Sequence, residues 1–281
     1  MTRASVLVTG ASTGIGAATV RTLLTRGFRV WAGVRDDASA DALRALGDRC
    51  TPLQLDVTDA AQIAAAATRI ADDGGLYGLV NNAGVAVGGP LEALPLDQLR
   101  AQLEVNVVAP IALVQAMLPL LRRSLGRIVM ISSVGGRIAL PFVGPYAASK
   151  HALEALSDSL RAELLPSGVD VIVVEPGAVK TPIWERGARA GEALAATFDP
   201  LTRARYADDV AMMLQLSRAM EARGIPAERV ADVVAHALIA RHPRTRYLVG
   251  SDAHLRVLLR RFVPDRPRDR LLRAAMRRMS S

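Results

Sequence analysis

The sequence predicts an α/β protein wound doubly around a parallel sheet, and two observations carry the prediction. Short apolar, β-branched runs alternate with helix-patterned stretches from Ser5 to about residue 250. Such alternation calls for a parallel sheet with helices on both faces. The first strand also runs through a glycine-rich turn into a helix, and a second strand follows directly, which implies a right-handed crossover between parallel strands. No internal repeat or low-complexity linker interrupts the alternation. Residues 1–281 therefore read as one domain, with an insertion at about 183–226 and a basic extension at about 254–281.

Residues 5–9 form the first buried strand, and glycines stand at 10, 14 and 16 in the turn after it. A tight strand-to-helix turn needs residues without a Cβ, and the helix N-terminus beyond it offers free N–H groups and a positive dipole to a pyrophosphate. A helix over 17–26 closes at Gly27, and residues 28–34 form the second strand. Arg35 and Asp36 follow, where the adenosine ribose of a dinucleotide lies. An acid there bonds a ribose 2′-hydroxyl, whereas a guanidinium pairs with a 2′-phosphate. Arg35 next to the strand end favours NADP, and Asp36 is the counter-argument.

A helix over 41–46 and a strand over 51–55 lead to Asp56, which is either an adenine contact or a plain loop acid; Thr58 or Asp59 caps the next helix. The strand 78–80 ends in Asn81-Asn82-Ala83-Gly84, where backbone approaches a cofactor closely and amides tie strands together. Asn106 lies between apolar residues of a helical pattern over 96–115. A buried amide must be hydrogen-bonded, either as a structural tie or at a kink that holds a water near the site.

The strand 127–131 aims Ser133, and the helix beginning at Pro145 carries Tyr146 and Lys150 four apart, on one face. A strand at 169–174 ends in Glu175-Pro176-Gly177-Ala178-Val179-Lys180-Thr181, a rigid turn whose amides suit a carboxamide. The insertion holds Trp184, Phe198, Tyr206, Met212 and Met213; methionine-rich helices fill irregular apolar space, either as a lid over an apolar substrate or as a further layer of core. A helix over 228–240 and a strand over 246–250 complete the alternation.

Composition narrows the function. Hydrophobic residues make up 51% of the chain and aromatics only 4%, so Ala, Val and Leu must fill the core. The lone Cys50 excludes an intrachain disulfide and a cysteine-rich metal site, and the four His are scattered. Met1-Thr2-Arg3 runs straight into a strand, which argues against a secretory leader and for the cytoplasm; apolar windows such as 116–121 are too short to span a bilayer. Net charge is +8, but residues 256–278 hold nine Arg against two Asp, +7, leaving about +1 for the rest. The body is balanced and gives no footprint for nucleic acid. The tail has apolar positions at Leu255, Leu258, Leu259, Phe262, Leu271, Leu272, Ala275 and Met279. It suits either packing on the body or a partner subunit, or peripheral contact with an anionic membrane. Only two of the 35 Lys plus Arg residues are Lys, at 150 and 180, which marks position 150 as a place for a compact, tunable amine.

Taken in order, Thr9-Gly10-Ala11-Ser12-Thr13-Gly14-Ile15-Gly16, Asp56-Val57, Asn81-Asn82-Ala83-Gly84, Asn106, Ser133, Tyr146-x-x-x-Lys150 and Pro176-Gly177-x-Val179-x-Thr181 resemble the short-chain dehydrogenase/reductase family over roughly residues 5–182. The resemblance implies a Rossmann fold with a seven-stranded sheet in the order 3-2-1-4-5-6-7. It implies Tyr146 as general acid/base, Ser133 orienting the substrate carbonyl, Lys150 holding the nicotinamide ribose, and Asn106 organising a proton-relay water. The cofactor would lie on Gly10, Ser12, Thr13, Gly14, Ile15, Gly16, Arg35, Asp56, Val57, Asn82, Ala83, Gly84, Pro176, Gly177, Val179 and Thr181, with Tyr146 and Lys150. Arg35 matches NADP-preferring members; Thr13, where many of them carry a basic residue, leaves NAD open. The segment from Ser133 to Phe142 and the C-terminal extension look closest to the 17β-hydroxysteroid and retinol dehydrogenase branches.

The implied activity is alcohol–carbonyl interconversion on an apolar, steroid-, retinoid- or lipid-like small molecule, by a homodimer or homotetramer. A 3-oxoacyl-thioester reductase is the alternative enzyme, and a non-catalytic dinucleotide sensor or scaffold the alternative class. A phenol titrates near pKa ~10, and the Lys150 ammonium with an oxidised nicotinamide is expected to lower Tyr146 below that.

Overall fold

The computed structural model describes residues 4–280. Met1, Thr2, Arg3 and Ser281 lie outside the described residues, as do the side chains of Arg256, Leu259, Ala275 and Met279. The strands are β1 (Ser5–Val8), β2 (Arg29–Val34), β3 (Cys50–Gln54), β4 (Gly78–Asn81), β5 (Arg127–Ile131), β6 (Asp170–Pro176) and β7 (Arg246–Val249). They form one sheet in the order β3-β2-β1-β4-β5-β6-β7, and every neighbouring pair is parallel. The helices are α1 (Gly14–Thr25), α2 (Asp37–Arg44), α3 (Ala60–Asp72), α4 (Leu96–Leu103), α5 (Ala109–Ser124), α6 (Gly144–Leu164), α7 (Ile183–Ala196), α8 (Pro200–Arg223), α9 (Ala227–Ile239), α10 (Ser251–Phe262) and α11 (Asp265–Ser280).

Side chains alternate across a strand, and here both sets are apolar. Val6 and Val8 enter one core while Leu7 enters the other; Val129 and Ile131 divide likewise from Ile128 and Met130, and Ile172 and Val174 from Val171 and Val173. The first core is closed by α1, α2 and α9, the second by α3, α5 and α6. Burial on both faces is what makes these strands read as continuous apolar runs rather than alternating ones. The strand order reverses between β1 and β4, and such a switch point opens a crevice at the carboxyl ends of the strands.

Three segments differ in detail from the sequence expectations. The helical pattern over 96–115 is two helices, α4 and α5, joined by a π turn over Glu104–Val108, and it runs on to Ser124 past Pro119. Taken together, Leu96–Ser124 is long and apolar enough to cross a bilayer, although the short windows did not show it; Leu113, Met117 and Leu121 are buried on the sheet. The insertion forms α7 and α8, whose Leu194 and Phe198 build a small separate core with Leu94. In the tail, the side chains of Leu255, Leu258, Phe262 and Leu271 are exposed, while Ala253 is buried with Val257 beside it and α11 lies against α8.

One buried cation ties the start of β5 to the end of α9. Arg127, at the start of β5, donates from Nη1 to Ala237 O and from Nη2 to Ala240 O, both at 2.6 Å, and its Nε lies 3.5 Å from Asp170 Oδ2. It thereby satisfies carbonyls at the C-terminus of α9 that have no partner in the helix. Arg127→Leu is expected to lower stability by about 2–4 kcal/mol, read from the urea midpoint.

Candidate active site

The turn between β1 and α1 is built on steric closeness. Gly10 and Gly14 have φ of +62° and +55°, a region open to glycine. Gly16 is held by contact instead: an added Cβ would overlap the Gly10 carbonyl oxygen and stand 2.6 Å from Asn82 Nδ2. Asn82 donates that amide to Thr9 O at 2.8 Å and Gly10 O at 3.1 Å, and the Asn82 and Ala83 N–H groups both reach Thr9 Oγ1 at 3.0 Å. The end of β4 thus clamps the end of β1. Thr13 stands at the N-cap of α1 without a capping bond, and no acidic side chain occupies the first turn, so the helix end is left positive and open.

At the ribose end, Arg35 is exposed and Asp36 is engaged elsewhere. Asp36 caps α2, accepting from Ser39 N at 2.8 Å and Ser39 Oγ at 2.9 Å. Those bonds hold its carboxyl below the usual range, with Arg35 adding to the effect. Asp56 accepts through Oδ1 from Thr58 N (2.9 Å) and Thr58 Oγ1 (2.7 Å), which lowers it in the same way; helix α3 is capped by Asp59.

Across the crevice, Ser133 leaves β5 and caps a short 3-10 turn, its Oγ accepting from Gly135 N at 3.0 Å. Tyr146 and Lys150 rise from the first two turns of α6. Lys150 is buried and donates from Nζ to Ile131 O at 2.8 Å; its Nζ lies 5.7 Å from the Tyr146 ring centre. Burial pushes Lys150 down to about 8, against the pull of Glu154. Burial also pushes the Tyr146 phenol up, opposed by Ser133. In the protein by itself the shift is thus upward rather than downward, because desolvation outweighs the Ser133 hydrogen bond.

Asn106 is buried at the π turn between α4 and α5. Its Oδ1 accepts from Val85 N (2.9 Å), and its Nδ2 donates to Val85 O (2.9 Å) and Ser149 Oγ (3.0 Å). Ser149 in turn donates to Tyr146 O at 2.7 Å. The kink and the structural tie, taken as alternatives from sequence, are one feature. The 177–181 turn is more engaged than expected: Gly177 N, Ala178 N and Lys180 N donate to Val249 O, Asp252 Oδ2 and Ile225 O. Among the described bonds, none uses the Val179 N–H.

One pocket, enclosing about 680 Å³, brings nearly all of these together. Every site residue expected from sequence lines it except Gly16 and Asn106, which stand one layer behind, against Gly10 and Gly84. Residues missed in the sequence complete it. Ser39, Leu55 and Val85 belong to the long cleft, while Ile138, Leu140 and Val143 precede Tyr146. Trp184, Met213 and Leu214, from the insertion that the sequence offers as a lid or a core layer, form a wall from α7 and α8 together with Ile183 and Met220, which the sequence did not single out. No local signal separates these from ordinary core, since only the fold turns them inward. The glycine cradle, the open end of α1 and the free Arg35 rim fit a dinucleotide with a phosphorylated ribose. Gly16→Ala, which rebuilds the cradle by one methyl, is expected to weaken dinucleotide binding at least tenfold (~1.4 kcal/mol), measured by calorimetric titration.

A family model for short chain dehydrogenases matches residues 4–190, a span that takes in the cradle, Ser133, Tyr146, Lys150 and Thr181. The NADPH-dependent 3-dehydrocapnine reductase of Ornithobacterium rhinotracheale is 34% identical, over 98% of this chain and 98% of that one. Retinol dehydrogenase 5 of Mus musculus is 39% identical, over 96% of this chain and 87% of its own. A short chain dehydrogenase/reductase from Burkholderia phymatum, solved in complex with NAD, superposes with a TM-score of 0.79 at 28% identity, covering 92% of this chain and 93% of that one. With its sheet order, its cradle and its Ser-Tyr-Lys cluster matched along nearly the whole length of such relatives, the chain belongs to the short chain dehydrogenase family.

Proposed function

We propose that this oxidoreductase interconverts an alcohol and a carbonyl on an apolar substrate with NADP(H), Tyr146 serving as the acid/base. The observation that carries the reading is the placement of Ser133, Tyr146 and Lys150 in one pocket whose far wall is Ile183, Trp184, Met213, Leu214 and Met220. Trp184 already donates its indole N–H to Val179 O at 2.7 Å, so toward the pocket it offers apolar surface alone. The names of the relatives fit: one is a retinol dehydrogenase, the other an NADPH-dependent reductase.

When bound, NADP(H) supplies the hydride. The protein supplies position and the proton. The N-terminus of α1 and the cradle would hold the diphosphate, and Arg35 would meet the 2′-phosphate, with Asp36 committed to Ser39. Lys150 has Ile131 O as one partner, and its remaining donors would hold the ribose. Ser133 holds the substrate oxygen, and Tyr146 gives a proton to it on reduction or takes one on oxidation.

Tyr146→Phe is expected to lower kcat by at least ~10²-fold, with dinucleotide affinity kept; intact turnover across an active substrate would overturn the assignment. Arg35→Ala is expected to raise the KM for NADPH roughly tenfold or more, since it removes a charge-assisted phosphate contact, while the KM for NADH stays within a factor of about two. Equal losses for both cofactors would point to NAD as the natural partner.

A further inference from the structure

Behind the Tyr146–Lys150 face lies a buried acid that no step above uses. Glu154 follows Lys150 by one turn of α6 and is 7% exposed; Glu175, at the end of β6, is 3% exposed. Arg246 of β7 holds both, with Nε 3.2 Å from Glu154 Oε2 and 3.2 Å from Glu175 Oε1, while its Nη2 reaches Asp158 Oδ2 at 2.6 Å. Arg137, in the turn after Ser133, gives Glu175 a second guanidinium at 2.7 Å. Gly136 lets that turn close on the acid: a Cβ there would stand 2.9 Å from Glu154 Cγ and 2.9 Å from Ser132 Oγ. Glu154 Oε1 has no hydrogen-bond partner among the described residues.

We propose that Glu154 is a positioning residue that keeps Lys150 in its ammonium form, with Arg246 anchoring it there. The inference rests on the assignment of Lys150 to the ribose and to Tyr146. A buried ammonium is disfavoured by desolvation, and a carboxylate nearby restores it. The neighbouring charged groups are paired, and Glu154 shares Arg246 with two of them. Glu175 is held by two guanidiniums, Asp158 by Arg161 and Arg246, and Asp252 by Ala178 N, while His151 faces Ala147 O and Arg260. Tyr146 is neutral while protonated. Glu154 stands one turn from Lys150 on the same face of α6, a spacing at which an ionised carboxylate favours the ammonium. Burial and Glu175 raise the Glu154 carboxyl, and Ser132, Arg246 and Arg137 oppose them; the contact with Arg246 keeps it ionised in the alkaline range where Lys150 titrates.

The test uses the scarcity of lysine. Isotope labelling of the side-chain ammonium groups in the full chain gives two signals, and Lys180→Arg identifies that of Lys150. Titrated without nucleotide, Lys150 is expected to lose its proton near pH 8, the value to which burial takes it. In Glu154→Gln it is expected to do so about one unit lower, and the alkaline limb of kcat/KM is expected to move with it. Glu154→Asp, which keeps the charge, restores most of the shift. A folded Glu154→Gln protein with an unmoved Lys150 titration overturns the proposal and leaves Glu154 a packing acid. Should that variant not fold, the wild-type Lys150 signal must show a second inflection as Glu154 protonates, and a single inflection overturns it equally. Because the titration needs no turnover, an active Tyr146→Phe would sink the reaction assignment and leave this result standing.

Discussion

The site depends on one bond between a helix and a strand end. Lys150 Nζ donates to Ile131 O, taking a charged group out of water at the carboxyl edge of the sheet, where β5 has ended and its last carbonyls lack a ladder partner. The charge-assisted bond answers both needs at once. It also sets the position of α6 along β5, which decides the rest. Ser133 lies two residues past the acceptor, and Tyr146 lies one turn before the donor. The three groups that must meet are therefore located by one contact, and Gly135 and Gly136 allow the intervening turn to pass close enough.

A second constraint is the absence of Cβ atoms where β1, α1 and β4 converge. Asn82, Thr9 and Gly10 knit this region through four hydrogen bonds, so the cradle is rigid before any ligand arrives. Rigidity there means that little ordering remains to oppose binding. The adjoining rim shows how local chemistry settles a choice. Arg35 and Asp36 argue for different nucleotides from sequence, yet a helix needs a cap, and Asp36 fills that position. Capping commits the acid to Ser39 and leaves the guanidinium on the rim of the crevice beside it.

The sheet was legible because its central strands, β1, β4, β5 and β6, are buried on both faces and so appear as nearly continuous apolar runs. The glycine turn, Ser133, Tyr146 and Lys150 were legible because their chemistry sits in short, ordered strings. What stayed hidden depends on contacts across the fold. Thr58 and Asp59 looked like equal caps until the turn geometry gave Asp59 the role. Asn106 offered two readings because a helical pattern does not show a π turn. The phenol was expected to be lowered by Lys150 together with an oxidised nicotinamide, whereas in the protein by itself burial raises it, and a sequence does not display the degree of enclosure. The lid wall draws on helices α7 and α8, whose apolar residues look like any core until the pocket beneath them is seen.

The division of labour between Arg and Lys follows from the same geometry. At 246 one side chain must touch Glu154, Glu175 and Asp158 together, and a planar fork with five donors can do this where a point charge cannot. At 137 a fork reaches the same Glu175 through both Nε and Nη2. Position 150 has the opposite demand. Its cation must fit beside Gly84, where an added Cβ would already come within 3.9 Å of Nζ. It must keep one donor on Ile131 and leave the others free, and it must be small enough to lie under the Tyr146 ring. A guanidinium cannot have its proton affinity tuned. A chain that uses Arg for almost every other cation therefore keeps a lysine at this point.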